Sequence, residues 1–396
     1  MLRKNRLFTP GPTPLHPQVQ TALASADVHH RTADFRAVYK RVLAGLQTFI
    51  GTKNETLMLA SSGSGAMEAS IQNLTQAGDH VLVLSAGKFG ERWRDLAKVY
   101  GCQLELISVP YGETFDLAQV RAALKPETRA VFVQATESST GARHDVAGIA
   151  SLLRGSDTLL VVDAITGLGT TALDVDGWGV DVIIGGSQKA LMSPPGIAYL
   201  AVSERAWQRM EQVKTPRYYF DLRKERKSAQ KGESAFTPAI AIVAALDAAL
   251  QYLTQVGGGD LAEGRDMLVR NAETCAAMTR AAAQALGMKL FAKSPAAALT
   301  AVVAPQGIDS GVVVKGVRDR FGAVLADGQG EMKGQLFRVA HIGYYDYLDT
   351  IGVIGAIEQV LASAGARIEF GAGVAAAQKA YAQVNSATPA AAAKTQ

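Results

Sequence analysis

The sequence predicts an α/β fold: a large domain on a mostly parallel, doubly wound sheet, plus a smaller C-terminal α+β domain. Three observations carry this. From residue 56 to 202, short apolar runs alternate with segments whose apolar residues fall at helical spacing, the mark of successive strand–helix–strand crossovers. Two of the runs are strongly apolar, 159–162 throughout and 180–184 save for Asp181, as strands covered on both faces are. Polar or glycine-rich steps close them. Asp163 ends the first, and Gly185, Gly186, Ser187, Gln188 and Lys189 follow the second. In such sheets, residues just past the strand ends line a ligand crevice.

The elements follow in order. Residues 1–15 contain TPGPTP, which cannot continue a helix or a central strand, and are expected to form an N-terminal arm. Helices are expected over 17–25 and 33–50, the second carrying Phe35, Val38, Val42, Leu46 and Phe49 at helical spacing. Strands then fall at 56–60, 80–84, 103–109, 130–134, 159–162, 180–184 and 197–202. Helices fall at 65–76, 89–100, 117–124 and 146–153. Residues 217–234, RYYFDLRKERKSAQKGES, are polar and basic and read as a surface or interface segment. Long helices are expected over 238–255 and 261–286. The triple glycine 257–259 between them is the candidate hinge, which gives a large domain over 16–258 and a small one over 259–366. Strands are expected near 299–303 and 336–340. Residues 367–396 form a tail whose low-complexity end, SATPAAAAKTQ, is expected to be disordered.

Composition narrows the function. The 396 residues are 48% hydrophobic and 19% charged, ample for two domains and a large core. A formal net charge of +4 is too small for this length to suggest a nucleic-acid binder. Cys102 and Cys275 lie far apart without a CxxC pattern, so neither a disulfide framework nor a zinc site is expected and a reducing, cytoplasmic setting fits. The N-terminus has basic residues but no apolar core of a signal peptide. The apolar stretch 239–253 carries Asp247 and Gln251 and reads as a core helix, not a membrane span. The six histidines show no metal-ligand spacing, and no metal is expected.

The chemistry lies in Asp163 and Lys189. A carboxylate at the end of a buried strand and an amine beside buried backbone are both costly unless paired or used. Either residue alone suits an ordinary loop. Together they suit pyridoxal phosphate, whose aldehyde forms a Schiff base with a lysine and whose ring nitrogen needs an acidic partner. The step SSGSGAMEAS, 61–70, joins a strand to a helix with small residues and a free helix N-terminus. Ser62, Gly63 and Ser64 there are candidates for an anion cradle, although an ordinary N-capped turn has the same look.

VVDAITGLG and GSQKALMSPPG resemble the fold-type I pyridoxal-phosphate aminotransferases of the alanine–glyoxylate and serine–glyoxylate (serine–pyruvate) group. The resemblance runs from Phe8 to about Leu361. It implies a Schiff-base Lys189 that also moves the substrate proton, and an Asp163 that keeps the cofactor ring protonated. It places the phosphate at Ser62, Gly63, Ser64 and Gln188, with Thr237 donated by the neighbouring subunit of a homodimer. Phe89 stands where the family stacks an aromatic, often Trp or Tyr, on the ring. Ser138 in ESSTG stands near the cofactor's phenolic oxygen. Arg338 in LFRVAHIG stands where the α-carboxylate is bound, with His341 three residues on. The N-terminal arm is implied to pass near the site. Arg31 in HHRTADF resembles a segment that reads a substrate's distal anion across the dimer; it equally suits a plain interface arginine. Ser234 departs from the family's frequent tyrosine.

The implied reaction is a two-stage ping-pong transamination from a small amino acid, alanine or serine, to a 2-oxo acid such as glyoxylate or pyruvate. An aspartate-type aminotransferase is the alternative, since Arg31 could pair with a second carboxylate. A cysteine desulfurase-like lyase fits less well: it calls for a mobile nucleophilic cysteine and for histidines where Gln188 and Phe89 stand. A catalytically silent interaction subunit is a reading from another class, because some relatives bear the name of hydrogenase subunits.

Overall fold

A computed structural model describes residues 3–25 and 27–387. Its main sheet has seven strands, in the spatial order Glu55–Leu59, Ala198–Val202, Val182–Gly186, Leu159–Asp163, Thr128–Gln134, His80–Ser85, Gln103–Ser108. The last five run parallel to one another. Ala198–Val202 is antiparallel to both its neighbours, so Glu55–Leu59 points the same way as the five. The central strands bury every residue, which explains their unbroken apolar runs. Helices between them cover the sheet, and all connections from the parallel strands leave at one edge.

Local chemistry sets the helix ends. Ala33–Ile50 starts where the Thr32 hydroxyl accepts from the Phe35 N–H and stops at left-handed Gly51. Its buried face is Phe35, Tyr39, Val42, Leu46 and Phe49. Ile240–Val256 and Leu261–Ala285 meet at 86°, bent at the triple glycine. Asp247, in the apolar run of the first, takes both prongs of the Arg41 guanidinium at 2.8 and 2.7 Å. No single helix among the described residues is long and apolar enough to cross a membrane.

A second sheet has four strands, in the order Arg6–Phe8, Ala323–Asp327, Leu336–Ala340, Leu299–Val303. It has its own core, with Phe8, Val302, Val317, Leu325, Phe337 and Val353. Here the structure departs from expectation at both ends of the chain. Arg6–Phe8, assigned to the arm, pairs in parallel with Ala323–Leu325. Three residues are too few to show a strand's alternation. The segment 367–396 is not a plain tail, because Ala372–Ala387 is a helix packed through Ala377 on Met278, Ala282 and Ile354. The expected disorder of the extreme end concerns 388–396, which lie outside the described residues. Within the basic segment 217–234, Leu222–Ala229 is a helix capped by Asp221; its charge-rich sequence hides the apolar face given by Leu222 and Ala229.

Candidate active site

The edge where the parallel strands end collects the charged groups. Asp163 ends the central strand of the sheet and is 5% exposed. One carboxylate oxygen accepts from the Ile165 N–H at 3.0 Å. Burial pushes its pKa up to about 6, opposed by that hydrogen bond and by the Lys189 and Arg92 charges, while Glu137 adds to the rise. Lys189 lies three residues past the neighbouring strand and is 9% exposed. Burial brings its pKa down to about 8; Asp163 opposes and Arg338 reinforces the fall. Its ammonium donates to the Pro10 carbonyl. The TPGPTP arm therefore lies directly on the lysine. Gly11 takes φ +134°, and a Cβ there would stand 2.5 Å from Lys189 Nζ. The Thr13 hydroxyl donates to the Lys189 carbonyl at 2.9 Å.

Around this pair stand the other candidates. Ser62 is the N-cap residue of the helix Gly63–Leu74, and its hydroxyl makes no capping bond. A Cβ at Gly63 would stand 2.3 Å from the tip of the Ile165 side chain, so any larger residue there must push Ile165 aside. Ser64 accepts from Arg92 Nη1 at 2.8 Å. That guanidinium also lies 4.8 Å from the centre of the Phe89 ring. Gln188 has a buried Oε1 with no hydrogen-bond partner, close enough to Gly186 that a Cβ there would sit 3.0 Å away. Ser138 is buried, and its carbonyl accepts from Arg338 Nη1 at 2.7 Å. Arg338 Nη2 donates to the Asp327 carbonyl at 2.6 Å, and its buried Nε has no partner. Burial lowers its pKa to about 10, with Glu137 and Asp327 opposing.

Three candidates stand apart from the group within one chain. Arg31 is exposed on the turn before the helix Ala33–Ile50, and Thr237 is exposed ahead of Ile240–Val256. His341 is fully buried, its Nδ1 within hydrogen-bonding distance of the Ala297 carbonyl at 3.0 Å and its pKa lowered to about 3 by burial. That placement is the packing of a core histidine.

Sequence reasoning passed over Glu137, Ile165 and Arg92. Glu137 was quoted only as part of ESSTG. Its position at a strand end, the same signal that marked Asp163, could have found it. Ile165 follows Asp163 by two residues and fills the space between Gly63 and Gly186. Arg92 follows Phe89 by one helical turn.

This donor set fits pyridoxal phosphate. A buried amine whose pKa is brought down to about 8, a buried carboxyl with one oxygen committed to the backbone and an uncapped helix N-terminus stand at one edge of the sheet. Among the described residues no cluster could hold a metal ion. The family described as Aminotransferase class-V matches residues 14–299. The chain is 38% identical over 96% of its length to the small subunit of a soluble hydrogenase from Synechococcus sp., covering 99% of it. It is 30% identical to the serine–glyoxylate aminotransferase of Methylorubrum extorquens, over 94% of this chain and 95% of that one. The solved aspartate aminotransferase of subgroup IV from Thermus thermophilus superposes with a TM-score of 0.84 at 34% identity, over 91% of this chain and 99% of that one. A crevice of this composition on this sheet, matched over most of its length, places the chain in the class-V aminotransferases, the fold-type I transaminases that work through pyridoxal phosphate.

Proposed function

We propose that the chain moves the amino group of a small amino acid, alanine or serine, to a 2-oxo acid such as glyoxylate or pyruvate. The observation that carries this is the buried trio of Asp163, Lys189 and Arg338. Each has its pKa displaced by burial, and Lys189 stands in the fields of both Asp163 and Arg338. Such displacement marks groups arranged for chemistry.

When bound, pyridoxal phosphate supplies an aldehyde for amines and a ring that takes up the electrons left when a proton leaves the α-carbon. The rest belongs to the chain's own residues. Lys189, with a pKa near 8, holds a usable fraction of neutral amine at neutral pH. It would anchor the cofactor and, when freed, its amine would carry the proton from the substrate α-carbon to the cofactor carbon on the face the lysine occupies. Asp163 holds the proton on the ring nitrogen through its second oxygen. Ser62, Gly63, Ser64 and Gln188 hold the phosphate, using the helix N-terminus. Phe89 and Ile165 hold the two faces of the ring, and Ser138 sits beside its phenolic oxygen. Arg338 turns its free Nε edge to the substrate α-carboxylate, with His341 behind it. Arg31 and Thr237, exposed in one chain, reach the site of a second copy in a homodimer. Two domains, 16–258 and 259–366, enclose the site; the second core around the small sheet supports the division, although Phe8 joins that core and Leu299 and Ala340 join the large one. Two unpaired cysteines favour a cytoplasmic setting.

The aspartate-type reading has its own support: the likeness to the Thermus thermophilus aspartate aminotransferase and an arginine at position 31. The hydrogenase-subunit name of one relative prompts a catalytically silent reading; the intact trio supports an enzyme. Initial rates for alanine, serine, aspartate and phosphoserine against glyoxylate, pyruvate and 2-oxoglutarate decide. Alanine or serine with glyoxylate or pyruvate should give the highest kcat/KM. Preference for aspartate by tenfold or more would overturn the small-donor reading.

A further inference from the structure

Glu137 is the most thoroughly satisfied charged group near the site. Its side chain is fully buried. Oε2 accepts from the Phe89 N–H at 3.0 Å and the Gly90 N–H at 3.1 Å. Oε1 accepts from the Ser139 N–H at 3.1 Å and the Ser139 hydroxyl at 2.5 Å. Ser139 Oγ in turn accepts from the Lys88 N–H at 3.1 Å. Three successive backbone amides, Lys88, Phe89 and Gly90, are thus gathered on Glu137 and its hydroxyl partner. Gly87 lets them come this close: a Cβ there would stand 2.6 Å from the Glu137 carboxyl carbon. The next residue, Ser138, gives its carbonyl to Arg338, and Arg338 feels the Glu137 charge as its first attractive partner.

We infer that Glu137 is a positioning residue: its side chain fixes the backbone that carries Phe89 and, through the adjoining Ser138 carbonyl, the seat of Arg338, so one side chain sets both the ring platform and the carboxylate fork. The inference rests on the proposed roles of Phe89 and Arg338. Four donors to one carboxylate suit only an acceptor on both oxygens. An amide in its place must turn its NH2 towards either the Phe89 and Gly90 N–H groups or the Ser139 pair, of which only the hydroxyl can turn to accept, so at least one buried N–H is left facing a donor.

The test is a double-mutant cycle. Pyridoxal phosphate is titrated by absorbance into cofactor-free wild type, Glu137→Gln, Phe89→Ala and the double variant, with urea midpoints in parallel. Glu137→Gln should weaken cofactor binding by about tenfold or more, as expected for leaving a buried N–H without its acceptor. In the Phe89→Ala background the same change should have less than about a threefold effect, because the platform is already gone. Glu137→Gln should also raise KM for alanine and aspartate alike. Glu137→Asp keeps both acceptor oxygens but shortens the reach, so it should recover only part of the lost cofactor affinity. Should Glu137→Gln fail to fold, Ser139→Ala removes one donor and should show a smaller loss with the same dependence on Phe89. Equal losses in both backgrounds, or losses that merely follow the urea midpoint, would overturn the inference. If Phe89→Ala alone weakens binding and Glu137→Gln does not, this inference falls while the site reading stands. If Phe89→Ala alone changes nothing, the platform reading falls and takes this one with it.

Discussion

Asp163 and Lys189 were legible in the sequence because each lies just past a buried apolar run, and a charge in such a place has few uses. Glu137 was not, since two of its four donors are the Phe89 and Gly90 amides, nearly fifty residues earlier in the chain, and only the two from Ser139 are local. The two legible residues make opposite pH predictions. Asp163 has a raised pKa, from 3.8 to about 6, so its contribution to the stability of the cofactor-free chain is full below pH 3.8 and is lost as pH rises through 6. Lys189 has a lowered pKa, from 10.5 to about 8, so its contribution is full above pH 10.5 and is lost as pH falls through 8. Between pH 6 and 8 the empty site therefore carries both buried charges. Cofactor-free Lys189→Met should exceed wild type in stability there, by up to about 3 kcal/mol, and the gap should close as pH approaches 10.5. Urea melts across pH read this out, and a gap that stays constant from pH 7 to 10.5 would contradict it. The same variant should have no transaminase activity, having lost both the anchor and the proton carrier. Asp163→Asn keeps the volume and loses the charge; turnover should fall about 10²- to 10³-fold, the scale for one preorganised charge in a dry site. A near-normal rate with full cofactor content would refute the ring-proton role.

Among the elements, those of the large sheet could be read because burial on both faces leaves unbroken apolar strands, and each strand end could then be inspected for charge. The short or edge elements could not. Arg6–Phe8 is three residues long, and Ala323–Asp327 follows a helix rich in charged residues. The arm between Phe8 and Pro14 was placed near the site only by resemblance. Its hold on Lys189 depends on Gly11, whose φ of +134° and missing Cβ admit the Lys189 amine. Gly11→Ala should therefore act at the element scale. It strains the backbone by roughly 1–3 kcal/mol and pushes the arm off the lysine. Expected outcomes are a lower urea midpoint, faster proteolytic clipping ahead of Thr13, and weaker cofactor retention on dialysis. An unchanged clipping rate with unchanged cofactor retention would show that the arm does not guard the site.

At the scale of the whole molecule, Arg338 is where the two sheets meet chemically: it lies on the small sheet and donates to Ser138 beside the large one and to Asp327 beside its own. In the proposed homodimer Arg31 and Thr237 would be its counterparts; both are exposed in a single chain. The sequence could suggest these roles but not separate them, because which surface meets a partner depends on shape gathered from distant segments. The separation is experimental. Arg338 should serve the α-carboxylate common to every donor, so Arg338→Ala should lower kcat/KM for alanine, serine and aspartate together, by roughly 2–5 kcal/mol if the charge pair is shielded from water. Arg31 should behave differently. If the natural donor is alanine or serine, Arg31→Ala should cause small losses of similar size for all donors, or only shift the monomer–dimer equilibrium seen by sedimentation. If the donor is aspartate, the loss should fall on aspartate far more than on alanine, with the dimer intact, because a guanidinium supplied across the interface would be reading the second carboxylate. The first outcome is the one expected here. The second would make the enzyme an aspartate-type transaminase, while a fully active monomer would remove Arg31 and Thr237 from the site altogether.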